Sequence, residues 1–190
     1  MLDARRFFAP RAWIADGWAD DVLLVAGPDG CWSEVRSGVP VPERVGADVL
    51  QGPALPGIVN GHSHAFQRAI AGLTERSGER QDDFWSWRDR MYAAALRITP
   101  QQLEAIAAFL YAELAKAGYT HVCEFHYLHN DFDGAPYADP LEMSLALVRA
   151  ARTAGIGLTL MPTLYMRAGF DASGLRDDQR RLASTPDSVL

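Results

Sequence analysis

The stretch that most limits what this chain can fold into is Pro56-Gly57-Ile58-Val59-Asn60-Gly61-His62-Ser63-His64. A Pro-Gly turn followed by a short β-branched run is the pattern of a strand with a defined start. Side chains of a strand alternate faces, so His62 and His64, two residues apart, point the same way at its end. Two neutral imidazoles so placed can both reach a divalent ion at about 2.0–2.1 Å. They suit zinc, and also iron, nickel or copper, better than magnesium or calcium. By itself a His-x-His pair also arises by chance among surface or core histidines. Its place directly after a turn and an apolar strand is what favours a metal site.

From Ile58 onward strands and helices alternate. Thr99-Pro100-Gln101-Gln102 is a capping box with proline at the first helical position. Leu103, Ile106, Ala107, Leu110 and Leu114 follow as an apolar stripe, and Gly118 is placed to stop the helix. Tyr119 to Tyr127 reads as a second strand. Asp139-Pro140-Leu141-Glu142 then starts a capped helix that runs to Gly155. Ile156 to Thr163 is apolar throughout and is expected to be a third strand buried on both faces. The polar tail from Gly169 to Leu190 is expected to be loop or poorly ordered.

Residues 1–55 carry a different pattern. Trp13-Ile14 and Asp21 to Ala26 are short apolar runs, and Gly27-Pro28-Asp29-Gly30 is a hairpin turn with Cys31 to Val35 returning. Val39-Pro40-Val41-Pro42 cannot be a central strand, because proline has no N–H to donate. The expected division is a small β-rich domain over 1–55 and a second domain over 56–190.

The longer run His62-Ser63-His64-Ala65-Phe66-Gln67-Arg68-Ala69-Ile70-Ala71-Gly72-Leu73 resembles the amidohydrolase superfamily, and most closely its formimidoylglutamate deiminase branch. Phe84-Trp85-Ser86-Trp87-Arg88 with Met91-Tyr92, and Glu124-Phe125-His126-Tyr127, resemble the same branch. The resemblance implies an α/β fold: a TIM (β/α)8 barrel, of which this chain holds about the first three units, preceded by a small β-rich domain. It implies hydrolytic deamination of N-formimino-L-glutamate to N-formylglutamate and ammonia by a metal-bound hydroxide, in histidine degradation. His62 and His64 match metal ligands, and Gln67, Arg88 and Tyr127 match substrate-binding positions. The expected cofactor is one divalent ion, zinc or alternatively iron. Lys116 is the only lysine and belongs to a helix end, so no strand-end lysine is available to bridge two metals. The remaining ligands and the acid/base residues would come from later strands, leaving no catalytic residue within this chain.

Some readings rest on the residues alone and stay open. If Phe84 to Tyr92 is helical, Phe84, Trp87, Arg88 and Met91 share one face. Arg88 could then cover apolar surface with its stem, or grip a carboxylate through its guanidinium. His121 and His129 read as ordinary strand and loop residues. His126 shares strand parity with Glu124, which suggests a buried pair or a contact behind the metal ligands.

At 190 residues, 48% hydrophobic and 22% charged, the chain can build a real core. A net charge of −6 without a basic run disfavours nucleic acid and anionic membranes as partners. A small-molecule dicarboxylate is the expected partner, and a homo-oligomer is compatible with the sequence. No stretch has the length of a membrane span, and Cys31 and Cys123 form no paired pattern, which points to the cytoplasm. Three strand–helix units cannot close a barrel of eight. The chain is therefore expected to be the N-terminal part of a longer protein. The alternatives are another deaminase or amidase of the superfamily, acting on a nucleobase or cyclic amide, or an inactive fragment serving as an interaction module.

Overall fold

Residues 4–74 and 84–189 are described by a computed structural model, in which two units, Met1–Pro56 and Gly57–Leu190, each hold a core of their own. The Phe84 and Trp85 side chains and the stretch 75–83 lie outside the described residues, so Phe84's share of the aromatic face does too.

In the first unit, β1 (Arg5–Ile14), β2 (Gly17–Ala26), β3 (Trp32–Arg36) and β4 (Asp48–Val49) form one sheet in the order β3-β2-β1-β4. β1 extends well before Trp13 even though it contains Pro10. The register passes from Ala9 opposite Val22 to Arg11 opposite Asp20, which leaves Pro10 outside the paired positions. The turn between β2 and β3 closes where expected: Gly27 N–H donates to Cys31 O at 2.8 Å, and Gly30 takes φ +80°. The proline-rich stretch becomes a short 3-10 helix, Val41–Arg44. Ala9, Ala12, Val22 and Leu24 form this unit's core.

In the second unit, β5 (Ile58–Ser63) leads through a 3-10 turn, Ala65–Ile70, to α1 (Phe84–Ala95) and α2 (Pro100–Lys116). β6 (Tyr119–His126), α3 (Glu142–Ala154) and β7 (Gly157–Pro162) complete a parallel three-stranded sheet in the order β5-β6-β7. The capping box at Thr99 forms in both directions: Gln102 N–H donates to Thr99 Oγ1 at 3.1 Å, and Thr99 N–H to Gln102 Oε1 at 3.0 Å. Leu103, Ala107 and Tyr111 of α2 are buried against Met143, Leu147 and Ala150 of α3, with Val122 of β6 beneath. Gly155 ends α3 with φ +71°, a backbone region that side chains with a Cβ rarely adopt. Before β5, a Cβ on Gly57 would lie 2.1 Å from Thr120 Cγ2, so the turn into the strand requires glycine there.

Three expectations need correction. β7 is not buried on both faces: Thr159 and Pro162 are exposed, and among the described residues β6 is the one strand beside it. Likewise Ile58 and Val59 on the other edge are 53% and 56% exposed. Asp139 does not cap α3. Its carboxylate accepts from Leu141 N–H at 2.9 Å in a local turn, and the helix begins three residues later, at Glu142. The tail is loop only in part, over 169–176 and 183–185. Asp177–Leu182 forms a 3-10 helix and α4 (Pro186–Val189) follows.

The tail docks through Arg181, a fully buried residue. Its guanidinium donates to the carbonyls of Asn130 (2.9 Å), Ala95 (2.5 Å) and Ile98 (2.8 Å) and to the Tyr137 hydroxyl (3.0 Å). Its own carbonyl accepts from His129 N–H and Asn130 N–H. Composition misleads here, because a polar segment can still be buried when every donor finds an acceptor. Among the described residues no helix is long and apolar enough to cross a membrane.

Candidate metal centre

β5 carries His62 at its exposed end and turns sharply at His64, where the backbone leaves strand geometry. The two Nε2 atoms lie 3.0 Å apart. His64 Nδ1 lies 2.8 Å from the carbonyl oxygen of Phe125 on β6. That carbonyl can only accept, so the proton sits on Nδ1 and the Nε2 lone pair is turned toward His62. His62 stacks on the Phe125 ring at 4.4 Å between centroids, which fixes its plane. Partial burial and the neighbouring His62 push the His64 pKa down, outweighing the Phe125 hydrogen bond, so the ring is neutral at pH 7.

These residues fit a divalent ion. Two imidazole nitrogens about 3 Å apart, one with its tautomer set by a backbone acceptor, match the spacing of two ligands on one tetrahedral metal. They do not complete a site. Among the described residues there is no group of three or more His, Cys, Asp or Glu able to hold a metal.

Behind the pair, Glu124 is almost fully buried on β6. Its carboxylate accepts from Ala65 N–H at 2.6 Å and from Tyr111 Oη at 3.2 Å. Burial raises its pKa against the opposing pull of these bonds and of the nearby Ser63 hydroxyl. Ala65 directly follows His64, so Glu124 holds the turn that aims the second histidine. The expected Glu124–His126 pair does not form. His126 Nε2 has no hydrogen-bond partner among the described residues, and its ring packs 5.0 Å from that of His129. The glutamate has better partners in a backbone N–H and a phenolic hydroxyl. His121 Nε2 meets Thr159 Oγ1 at 2.8 Å and His129 Nε2 meets Thr163 O at 3.1 Å, both away from the pair.

Next to His64 opens a cleft of about 430 Å³ lined in part by Gln67, Arg88, Met91, Tyr127 and Tyr165. Gln67 Nε2 donates to Tyr127 Oη at 2.8 Å and lies 3.3 Å from Met91 Sδ. The Tyr127 ring stands edge-on to His64 at 4.8 Å, and burial raises its pKa so that it stays a neutral phenol. Arg88 Nε donates to Tyr92 Oη at 2.5 Å, and its NH2 donates to Tyr165 Oη at 3.2 Å and Ala168 O at 3.0 Å. The fold thus brings His62, His64, Gln67, Arg88 and Tyr127 to one end of the sheet.

Sequence reasoning missed Tyr92, Tyr165 and Gln179. The i,i+4 spacing of Arg88 and Tyr92 on α1 could have revealed the first. Tyr165 follows β7 and Gln179 sits in the tail, and no local pattern marks either.

A family model described as the amidohydrolase family matches residues 54–187. Formimidoylglutamate deiminase of Pseudomonas aeruginosa is 50% identical over 183 residues, covering 96% of this chain and 40% of that protein. The crystal structure of an amidohydrolase from Brucella melitensis superposes with a TM-score of 0.88 at 41% identity, over 97% of this chain and 40% of the other. Atrazine chlorohydrolase from Arthrobacter aurescens, solved with zinc, shares the fold with a TM-score of 0.70 at 19% identity, over 96% of this chain and 40% of the other. The chain therefore spans about 40% of the length of these relatives.

Proposed function

Because the chain belongs to the amidohydrolase family, we propose that it contributes two metal ligands and much of the substrate cleft of an N-formimino-L-glutamate deiminase. The carrying observation is the convergence of His62 Nε2 and His64 Nε2, 3.0 Å apart, at the mouth of a cleft that also holds Arg88. Half identity to a deiminase of that substrate along nearly the whole chain supports the choice of reaction.

In this reading Gly57–Leu190 supplies the first three β/α units of a TIM barrel, and Met1–Pro56 is a separate small β-rich domain. Parallel pairing of β5, β6 and β7 supports the barrel, whose active sites lie at the carboxyl ends of the strands. The ion is zinc, with iron as the alternative, and its further ligands come from strands beyond these three. Two free cysteines fit a cytoplasmic enzyme.

When bound, the ion supplies Lewis-acid activation of a water near neutral pH. His62 and His64 would hold it through their Nε2 atoms. Arg88 pairs with a substrate carboxylate, a planar acceptor that matches its guanidinium fork. The Gln67 amide, held by Tyr127, orients the amidine end of the substrate near the histidines. Water adds to the formimino carbon, the C–N bond to the terminal nitrogen breaks, and ammonia leaves carrying the two protons of that water, relayed by groups outside this chain. N-formylglutamate remains.

The test is ammonia release by the complete, metal-loaded protein from N-formimino-L-glutamate, set against a panel of nucleobases and cyclic amides. Preference for the formimino acid is expected. Faster turnover of a nucleobase would reassign the substrate while leaving the metal site in place.

A further inference from the structure

Resting on that reading of the cleft, we propose that Tyr165 is a substrate-binding residue, donating its phenolic proton to the carboxylate that Arg88 grips. The inference comes from following each proton through the tyrosine pair. A phenolic oxygen has one proton to give and room for about two accepted bonds.

Gln179 fixes the starting point. Its Oε1 accepts from Arg176 N–H at 2.9 Å, so its Nε2 must be the atom facing Tyr92 Oη, 2.9 Å away, and must donate. Tyr92 Oη also accepts from Arg88 Nε at 2.5 Å. With both acceptor positions filled, the Tyr92 proton can go only to Tyr165 Oη, 2.7 Å away. Tyr165 Oη therefore accepts from Tyr92 and from Arg88 NH2 at 3.2 Å, and its own acceptor capacity is full as well.

What is left is the Tyr165 proton. No acceptor for it is present among the described residues, and the side chain lines the cleft shared by His64, Gln67, Arg88 and Tyr127. An oxygen that has already accepted twice cannot take a bond from an ammonium or amide N–H. The ligand it suits is an acceptor, and a carboxylate beside a guanidinium is the strongest one available. Burial keeps the phenol neutral and so keeps the proton in place.

The residue is also held ready. Its backbone is clamped on both sides by Ser184: Tyr165 N–H donates to Ser184 Oγ at 2.8 Å, and Ser184 N–H donates to Tyr165 O at 3.1 Å. Its ring packs against Tyr127 at 5.6 Å between centroids. A donor fixed before binding loses little freedom when the ligand arrives.

The experiment is calorimetric titration of the complete, metal-loaded protein with glutarate, a dicarboxylate that cannot react. It compares wild type, Tyr165→Phe, Arg88→Met and the double variant, with thermal unfolding of each. Tyr165→Phe keeps the ring packing and removes only the proton and oxygen. Its glutarate affinity should fall about 10- to 100-fold, the scale of one hydrogen bond to a charged group. In the Arg88→Met background the same change should cost much less, because both residues act on one carboxylate. A Tyr165→Phe affinity within about twofold of wild type, or losses that simply multiply in the double variant, would overturn this inference and leave the proposed function standing. A wild-type protein that neither binds glutarate nor deaminates the formimino acid would overturn both.

Discussion

His62 and His64 stand two residues apart and converge through the end of a single strand, whereas the Arg88–Tyr92 pair of α1 meets Tyr165 and Gln179 only because the chain returns across 73 to 87 residues. Both groups border the same cleft, yet they depend on different things. The histidine pair needs β5, the Phe125 carbonyl and the turn held by Glu124. The arginine group needs α1, the loop after β7 and the docked tail to be in place together. A site can thus have one side set by local periodicity and another set by long-range packing, and the two sides should fail in different ways.

The sharpest break is on the local side. In the complete protein, His62→Ala with His64→Ala should remove the metal and bring ammonia release below detection, since both proposed ligands are gone. Elemental analysis checks the metal directly, and an undiminished equivalent in the double variant would separate these residues from the centre altogether.

On the long-range side, Arg88→Met should lower kcat/KM by about 2–4 kcal/mol, the scale for losing a charge-assisted pair to a carboxylate. Metal content should stay unchanged. Kinetics like those of wild type would return Arg88 to a packing role beside Tyr92.

Arg181→Met probes the docking of the tail. It strips partners from the carbonyls of Ala95, Ile98 and Asn130 and from the Tyr137 hydroxyl. Urea unfolding should show a loss of about 2–3 kcal/mol, because those groups stay buried. The variant should also weaken dicarboxylate binding while metal binding holds, as Tyr165 is anchored through the same segment at Ser184.

The smallest expected effect concerns acid. Burial and the neighbouring His129 lower the His126 pKa from 6.5 to about 3. The unfolded chain therefore takes up a proton before the folded one does. The stability that neutral His126 contributes is complete above pH 6.5 and is lost as the pH falls toward 3. His64 and His129 are shifted the same way. His126→Leu should therefore flatten, without abolishing, the fall in unfolding free energy measured by denaturant at stepped pH.

Where the chain encodes structure locally, reading and structure agree, with the cap of α3 at Asp139 as the exception. The Thr99 capping box, the stop of α3 at Gly155 and the hairpin at Gly27 to Gly30 each depend on residues a few positions apart. The three-strand alternation after Ile58 belongs to the same class. The failures at the tail and at Glu124 share a cause too. The tail looked unstructured because its polar residues were judged by composition, although Gln179 and Arg181 are fully buried with partners far away in sequence. Glu124 and His126 share a face of β6, but parity says which side a residue takes and not which partner it finds there.

The sequence by itself determined the strand that carries His62 and His64, the helices that cover the sheet, and the family to which the chain belongs. Each of these is written in short-range spacing, because strands repeat every two residues and helices every 3.6. Only the tertiary structure decided that Tyr165 and Gln179 join the Arg88–Tyr92 pair, which side chain supports the turn at His64, and how the polar tail is buried. Those outcomes turn on hydrogen-bond partners supplied from 44 to 87 residues away. A buried donor or acceptor must be satisfied by whatever the completed fold brings near it, and no local pattern records that choice.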